Sequence, residues 1–422
     1  MGIKMGEPYF QCQERLQWGG ATVFSANFPL YGDLSARVVR VIKEVLSDSR
    51  ARLDERVEVY SIDEVFIDLS AVPLISLEPL AWTLRRAVFQ QVGIPVSVGV
   101  APTKTLAKVA TALAKRGSGS ERVQLILDEP SRLSALRRIE IEDVWGVGQR
   151  WAARLKRVGI NRALDLADVS SQRLRHAVHS VCLMRTSREL RGESCLPIDL
   201  APPPRRSMMH SRTFSRRITC PRALRDALSA FAEKLSVQLR THGRQTGVLT
   251  LWMSAPFPSP ASYPHARRHP NRASARSAPP PRYTIRRALL LSTPCADSTT
   301  LISSAMHLLE EALFLAERNA PRQLSRPIGW RKAGLLALDL SDGSQPLLPL
   351  DPPDPKKLAL AQVADQLNQR FGRGSARIGG TPVKPTPHHR TPALSGSARW
   401  RPQSAALSPR YTTCWADLPI VE

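Results

Sequence analysis

The sequence predicts a multidomain α+β protein, and three observations carry that prediction. Residues 57–116 alternate strand and helix patterns. Residues 139–167 set glycines between helical runs. Residues 207–340 read strand, helix, strand, strand, helix, strand. At 422 residues the chain is long enough for two or three hydrophobic cores. Its formal net charge is +24, which points to a polyanionic partner, with nucleic acid ahead of a membrane surface. The charge is uneven. Residues 201–290 hold 17 Lys and Arg (16 Arg and Lys234) against Asp226 and Glu233, so +15 of the +24 lies there. The six cysteines are scattered with no C-x-x-C pair, which argues against a disulfide frame or a zinc site. No apolar run is long enough to span a membrane, and Met1–Arg15 has no signal-peptide core. The expectation is a soluble cytoplasmic protein with no membrane partner.

Taken in order, Ala21–Ser25 reads as a strand and Gly32–Leu46 as a helix, with Leu34, Val38, Ile42 and Val45 at helical spacing. The apolar, β-branched stretch Tyr60–Ser70 follows and carries Asp63-Glu64 in its middle. Carboxylates are costly to bury unless paired or bound to a metal. Two readings stand: ligands for a divalent ion, or acids on a solvated strand turn. Neighbours on a regular strand point to opposite faces, so the two can share a site only if the backbone bends there.

Pro79–Val92 reads as a helix, Pro95–Val100 as a strand and Thr103–Arg116 as a helix. On that last helix Lys104, Lys108 and Lys115 fall in one narrow sector, opposite Leu106, Val109, Ala110 and Leu113. The lysine face is either simply solvated or turned to phosphates. Gly117-Ser118-Gly119-Ser120 beyond it permits close backbone approach.

Ile139–Ile160 looks like a helix-hairpin-helix around Val144-Trp145-Gly146-Val147-Gly148, completed by a second helical turn over Gly159–Ala167. Such a hairpin either lays its backbone and a helix N-terminus against a phosphate, or is an ordinary glycine-capped turn. Gly146, Val147, Gly148 and Arg150 are its candidate DNA contacts.

Residues 197–206 are a basic, Pro-rich linker. The β-α-β-β-α-β run after it has the ferredoxin-like order of elements. It is the most basic region, so its sheet is a plausible DNA-backbone platform through Arg212, Arg216 and Arg217. Residues 256–281 read as a disordered Pro/Arg/Ser insertion.

Tyr60-Ser61-Ile62-Asp63-Glu64, Gly99–Lys108 with its Ala-Pro-Thr-Lys start, and Val144–Gly148 occur in the order seen in Y-family translesion DNA polymerases. Arg185–Glu193 and Leu407–Thr413 resemble the UmuC-like branch, the catalytic subunit of bacterial DNA polymerase V and its plasmid-borne relatives. The resemblance implies a right-hand fold. Residues 1–25 would be a remnant of the fingers, 26–127 the palm, 128–200 the thumb, 205–340 the little finger, and 341–422 a C-terminal tail. It implies error-prone, DNA-directed DNA synthesis in the SOS response to DNA damage. The substrates would be primed or damaged DNA and deoxynucleoside triphosphates. Asp63 and Glu64 would be two of three carboxylates holding two Mg²⁺ ions. Lys115 matches the family lysine that contacts the triphosphate, with Lys104 and Lys108 as phosphate-side candidates. Gln345, Leu348 and Leu350 resemble the peptide that docks in the β sliding clamp. A UmuD′-like protein and a recombinase filament are further partners by family. The family's opening acidic strand, with its third carboxylate, has no counterpart here, and Gly2–Phe10 resembles a point already inside the fingers. An N-terminally truncated, catalytically inactive remnant that keeps DNA and clamp binding is therefore the alternative expectation.

Overall fold

The computed structural model describes residues 2–3, 6–47, 52–117, 122–201, 204–257, 282–324, 326–343, 354–372 and 374–378. Gln345, Leu348, Leu350, Ser118–Ser120, Leu407–Thr413 and nearly all of 256–281 lie outside them. The chain divides into two compact units between Pro202 and Pro203.

The first unit opens with α1 (Tyr9–Trp18) and α2 (Phe28–Ser47). Between them the strand expected over Ala21–Ser25 does not form. Val23 and Phe24 are exposed, so that stretch buries nothing a strand would have to cover. Next come β1 (Val57–Val59), β2 (Val65–Ile67), α3 (Leu74–Val92), β3 (Val98–Val100), α4 (Lys104–Arg116) and β4 (Val123–Leu125). α3 begins five residues before Pro79 and runs through it. Strands β1 and β2 form an antiparallel pair in which Val59 faces Val65. Strands β3 and β4 pair in parallel across α4. Gly99 in β3 lies against α4 so closely that a Cβ there would sit 2.4 Å from Ala107 O and Thr111 N.

Five shorter helices complete the unit: α5 (Glu129–Arg137), α6 (Gln149–Arg157), α7 (Ala163–Asp168), α8 (Ser171–Val178) and α9 (Val181–Leu190). The apolar side of α4, Leu106, Val109, Ala110 and Leu113, packs into their core. Val41, Ile42 and Leu46 of α2 pack with Leu84 and Val88 of α3 beneath Val57. Glu189, fully buried at the end of α9, fastens the start of α4. Its carboxylate accepts from Thr105 N at 3.0 Å, Cys195 N at 2.6 Å and Leu196 N at 3.0 Å. A buried carboxylate needs such donors, and here three backbone N–H groups supply them.

The second unit has β5 (Met208–Ile218), α10 (Pro221–Thr241), β6 (Arg244–Pro256), β7 (Arg282–Cys295), α11 (Ser298–Asn319) and β8 (Trp330–Asp342). The order of elements is the one the sequence predicts. The sheet is wound differently from a ferredoxin-like one, in which the first and third strands sit side by side in the centre. Here the order is β5-β8-β6-β7, all neighbours antiparallel, so the first and third strands are the two edges. Composition accords with this order in part, although β8 also carries Arg331 and Lys332. β6 and β8 carry the apolar runs around Leu249–Met253 and Gly334–Leu338 and can be paired on both sides. β5 and β7 carry Arg212, Arg216, Arg217, Arg286 and Arg287, and charge is favoured at edges.

One sheet face packs on α10 and α11 through Leu249, Leu251, Met253, Ala333, Leu335 and Ala337. A further helix, α12 (Pro355–Phe371), is tied to α10 by Arg240 and Asp365. The guanidinium meets both carboxylate oxygens, at 2.7 and 2.9 Å, and also donates to Ala296 O.

Candidate active site

β1 ends at Val59 and β2 begins at Val65, so Tyr60–Glu64 leave the ladder as a five-residue loop. Tyr60 N and Ser61 N both donate to Glu64 O, at 3.2 and 3.1 Å. Ser61 Oγ donates to the Asp63 carboxylate and accepts from Asp63 N. The bend that adjacent acids need is therefore present, because strand alternation does not apply inside the loop. Asp63 is exposed and Glu64 partly so.

Helix α4 runs beside this loop. Its N-cap Thr103 accepts from Leu106 N at 3.2 Å. Lys108 Nζ closes an ion pair with Glu64. The same ammonium lies 5.2 Å from the Tyr60 ring centroid, 5.6 Å from Phe66 and 5.7 Å from Trp145. Those three rings touch one another, with centroids 5.5–5.7 Å apart. Lys104 Nζ pairs with Glu58 and donates to Pro197 O at 2.7 Å. Lys115 stays exposed in the last turn, with no ion pair among the described residues. The three lysines do share a face, but two of them are turned onto carboxylates. Spacing places a residue on a helix face and says nothing of what that face meets.

The two loop carboxylates are hard oxygen donors. Mg²⁺ is commonly held by one or two carboxylates, with water and substrate phosphates filling the remaining positions, and Asp63 with Glu64 fits that mode. Among the described residues no group of three or more His, Cys, Asp and Glu is assembled for a metal.

The glycine hairpin lies in the same unit and touches the loop through Trp145 and Tyr60. Gly146 has φ +88, a left-handed conformation that favours glycine. Gly148 is the N-cap of α6, makes no side-chain cap, and has open space where a Cβ would project. The N-terminus of α6 therefore presents backbone N–H groups, and Arg150 is exposed beside them. Val147 is different: its side chain is buried and its N–H donates to Val144 O at 2.9 Å, so it offers no donor to a phosphate.

In the second unit Arg212, Arg216 and Arg217 are exposed along edge strand β5. The face away from the helices holds residues the sequence reading passed over. Lys332 Nζ lies 4.9 Å from the Trp252 ring. Trp252 pairs in register with Gly334 on one side and Arg286 on the other. A Cβ at Gly334 would fall 2.8 Å from Trp252 Nε1, so the indole passes directly over that glycine. The alternation of Leu249, Leu251 and Met253 inward was the signal that Trp252 points the other way.

UmuC of Salmonella typhimurium is 33% identical over 426 residues, which cover 99% of this chain and 88% of that protein. The chain belongs to the impB/mucB/samB family. That family's model matches residues 1–112 and its C-terminal domain model matches 205–350. A domain of unknown function, DUF4113, matches 359–421. ImpB of the same organism is 32% identical, over 100% of this chain and 88% of its own length. A solved Y-family DNA polymerase chimera shares the fold, with a TM-score of 0.57 at 17% identity over 80% of this chain and 83% of that one. The protein is thus a UmuC-like member of the Y-family polymerases. In that frame the Tyr60–Glu64 loop and most of α4 fall in the first matched segment, and the glycine hairpin lies between the two matched segments. The open sheet face falls in the C-terminal domain of the family.

Proposed function

We propose that this UmuC-like chain is a DNA-directed DNA polymerase that extends primers across damaged template positions. The observation that carries the reading is the meeting, in one unit, of an acidic loop, a lysine-bearing helix and a phosphate-ready hairpin. In this reading residues 26–127 act as palm, 128–200 as thumb and 205–340 as little finger. Asp63 and Glu64 would hold Mg²⁺, which when bound activates the primer hydroxyl and steadies the leaving pyrophosphate. Lys115, exposed at the end of α4 and without an ion pair among the described residues, contacts the incoming triphosphate. Gly146, Gly148 and Arg150 hold the duplex backbone without reading sequence. Arg212, Arg216 and Arg217 along the β5 edge would meet phosphate, with Lys332 and Arg286 offering further cations on the face away from the helices.

The wider setting is part of the same proposal. It comprises action in the cytoplasm during the SOS response, docking on the β sliding clamp through Gln345, Leu348 and Leu350, and work with a UmuD′-like protein and a recombinase filament. Among the described residues no helix is long and apolar enough to cross a membrane.

The test is primer extension by the full chain on intact and lesion-bearing templates, with and without Mg²⁺. Synthesis that requires Mg²⁺ and is lost in Asp63→Ala supports the reading. Salt-sensitive DNA binding with no incorporation, on templates that a relative extends, would replace it with a protein that binds DNA and does not copy it.

A further inference from the structure

The Lys108 ammonium is unusual in its surroundings. It is only 16% exposed, it is paired with a carboxylate, and three aromatic rings approach it within 6 Å. Two of those rings belong to the acidic hairpin, Tyr60 at the start of its loop and Phe66 in β2. The third, Trp145, belongs to the glycine hairpin. The faces of aromatic rings attract cations, so the cage holds the charge beside Glu64 and does not merely tolerate it. Lys104 reaches the same Phe66 ring at 5.0 Å but is committed to Glu58. Lys108 is therefore the cation that neutralises Glu64.

We propose that Lys108 is a built-in counter-cation for Glu64, which a divalent ion must displace to bind there. Trp145 makes the hairpin part of that exchange. The inference rests on the reading of Asp63 and Glu64 as a cation site. It makes Lys108 a positioning residue, one that sets how tightly the site takes its ion, and not a phosphate ligand. Because Trp145 holds the ammonium on one side, any movement of the hairpin changes the affinity of Glu64 for the ion. By reciprocity, an ion bound at Glu64 changes how firmly the hairpin is seated. Neither effect needs substrate.

The experiment measures Mn²⁺ binding to the full chain by electron paramagnetic resonance, with no DNA or nucleotide present. The variants are Lys108→Met, Lys108→Gln, Trp145→Leu, the Lys108→Met/Trp145→Leu double, Asp63→Asn and Glu64→Gln, with circular dichroism to confirm the fold of each. Removing the internal cation should tighten Mn²⁺ binding about fivefold. Trp145→Leu should tighten it less, and should add nothing once Lys108 is gone. Two neutral replacements of different shape guard against one that fails to fold. Mn²⁺ binding that needs Asp63 and Glu64 but ignores both Lys108 variants would overturn the inference and leave the cation site standing. Equal effects of Trp145→Leu with and without Lys108 would overturn the coupling to the hairpin. Mn²⁺ binding that is indifferent to Asp63 and Glu64 would overturn the cation site and the inference together.

Discussion

Lys104 and Glu58 form a buried ion pair, each side chain 10% exposed, and the Glu58 carboxylate also accepts from Asp199 N at 2.7 Å. One carboxylate on β1 thus joins the start of α4 to the chain that follows α9.

Removing one member leaves the other charge buried. Lys104→Met should destabilise the first unit by about 3 kcal/mol, and Lys104→Met/Glu58→Leu should recover much of that loss. Urea melts of the two single variants and the double variant measure it. Additive losses would show that the two residues do not act as a pair.

His210 on β5 lies against Phe231, and burial, then Lys234 and Arg212, push its imidazole down from 6.5 to about 4. The unfolded chain takes up this proton near pH 6.5 and the folded chain only near pH 4. The associated stability is whole above pH 6.5 and is lost as pH falls toward 4, on the order of 3 kcal/mol at most. His210→Leu should flatten that part of the stability profile. A slope unchanged between pH 6.5 and 4 would assign it to other groups.

Burial, with Asp297 nearby, pushes the Cys295 thiol up to about 12, whereas Cys182 and Cys220 are exposed. At pH 8 only roughly one Cys295 in ten thousand is thiolate. Maleimide labelling of the native protein, read by peptide mass, should mark Cys182 and Cys220 within minutes and leave Cys295 unmarked until the protein unfolds.

Two glycines separate packing from binding. Gly334→Ala drives a methyl into Ser211 and Trp252 and should cost about 1–3 kcal/mol. Gly148→Ala meets nothing within 4 Å, and as a poorer N-cap than glycine it should cost about 1 kcal/mol or less. If the hairpin lies on a phosphate, Gly148→Ala should still weaken DNA binding severalfold at moderate salt. Binding equal to that of the parent chain would remove the hairpin backbone from the interface.

The periodic parts were legible in the sequence. α4 was predicted within a residue of its ends, because its apolar stripe and its Thr103 cap agree. The loop between β1 and β2 was legible as a required bend once two adjacent acids were placed on one site. What faces α4 was not. Helical spacing aligned Lys104, Lys108 and Lys115 but could not show that Glu58 and Glu64 come from a hairpin laid alongside them. The strand order of the second unit was hidden for a related reason. The element sequence β-α-β-β-α-β fits more than one winding, and composition separates them only weakly: β8 carries Arg331 and Lys332, and β7 carries the apolar run Ala288–Leu291. The stretch Ala21–Ser25 misled because β-branched and aromatic residues suggest a strand, whereas only Ser25 makes a single bridge there and Val23 and Phe24 stay exposed.

The Arg240–Asp365 contact bears on where this protein can be cut. The C-terminal domain model of the family stops at 350, and the domain of unknown function begins at 359. A chain ended at 350 would keep the Arg240 guanidinium, 10% exposed, and lose the only carboxylate that meets it among the described residues. Its remaining partners, Ser236, Ala296 and Ser298, are neutral. A cation stranded in that way weakens the sheet unit it sits in. A fragment of the second unit carried through Phe371, 21 residues past the end of that domain model, should therefore melt at a higher temperature than one ended at 350.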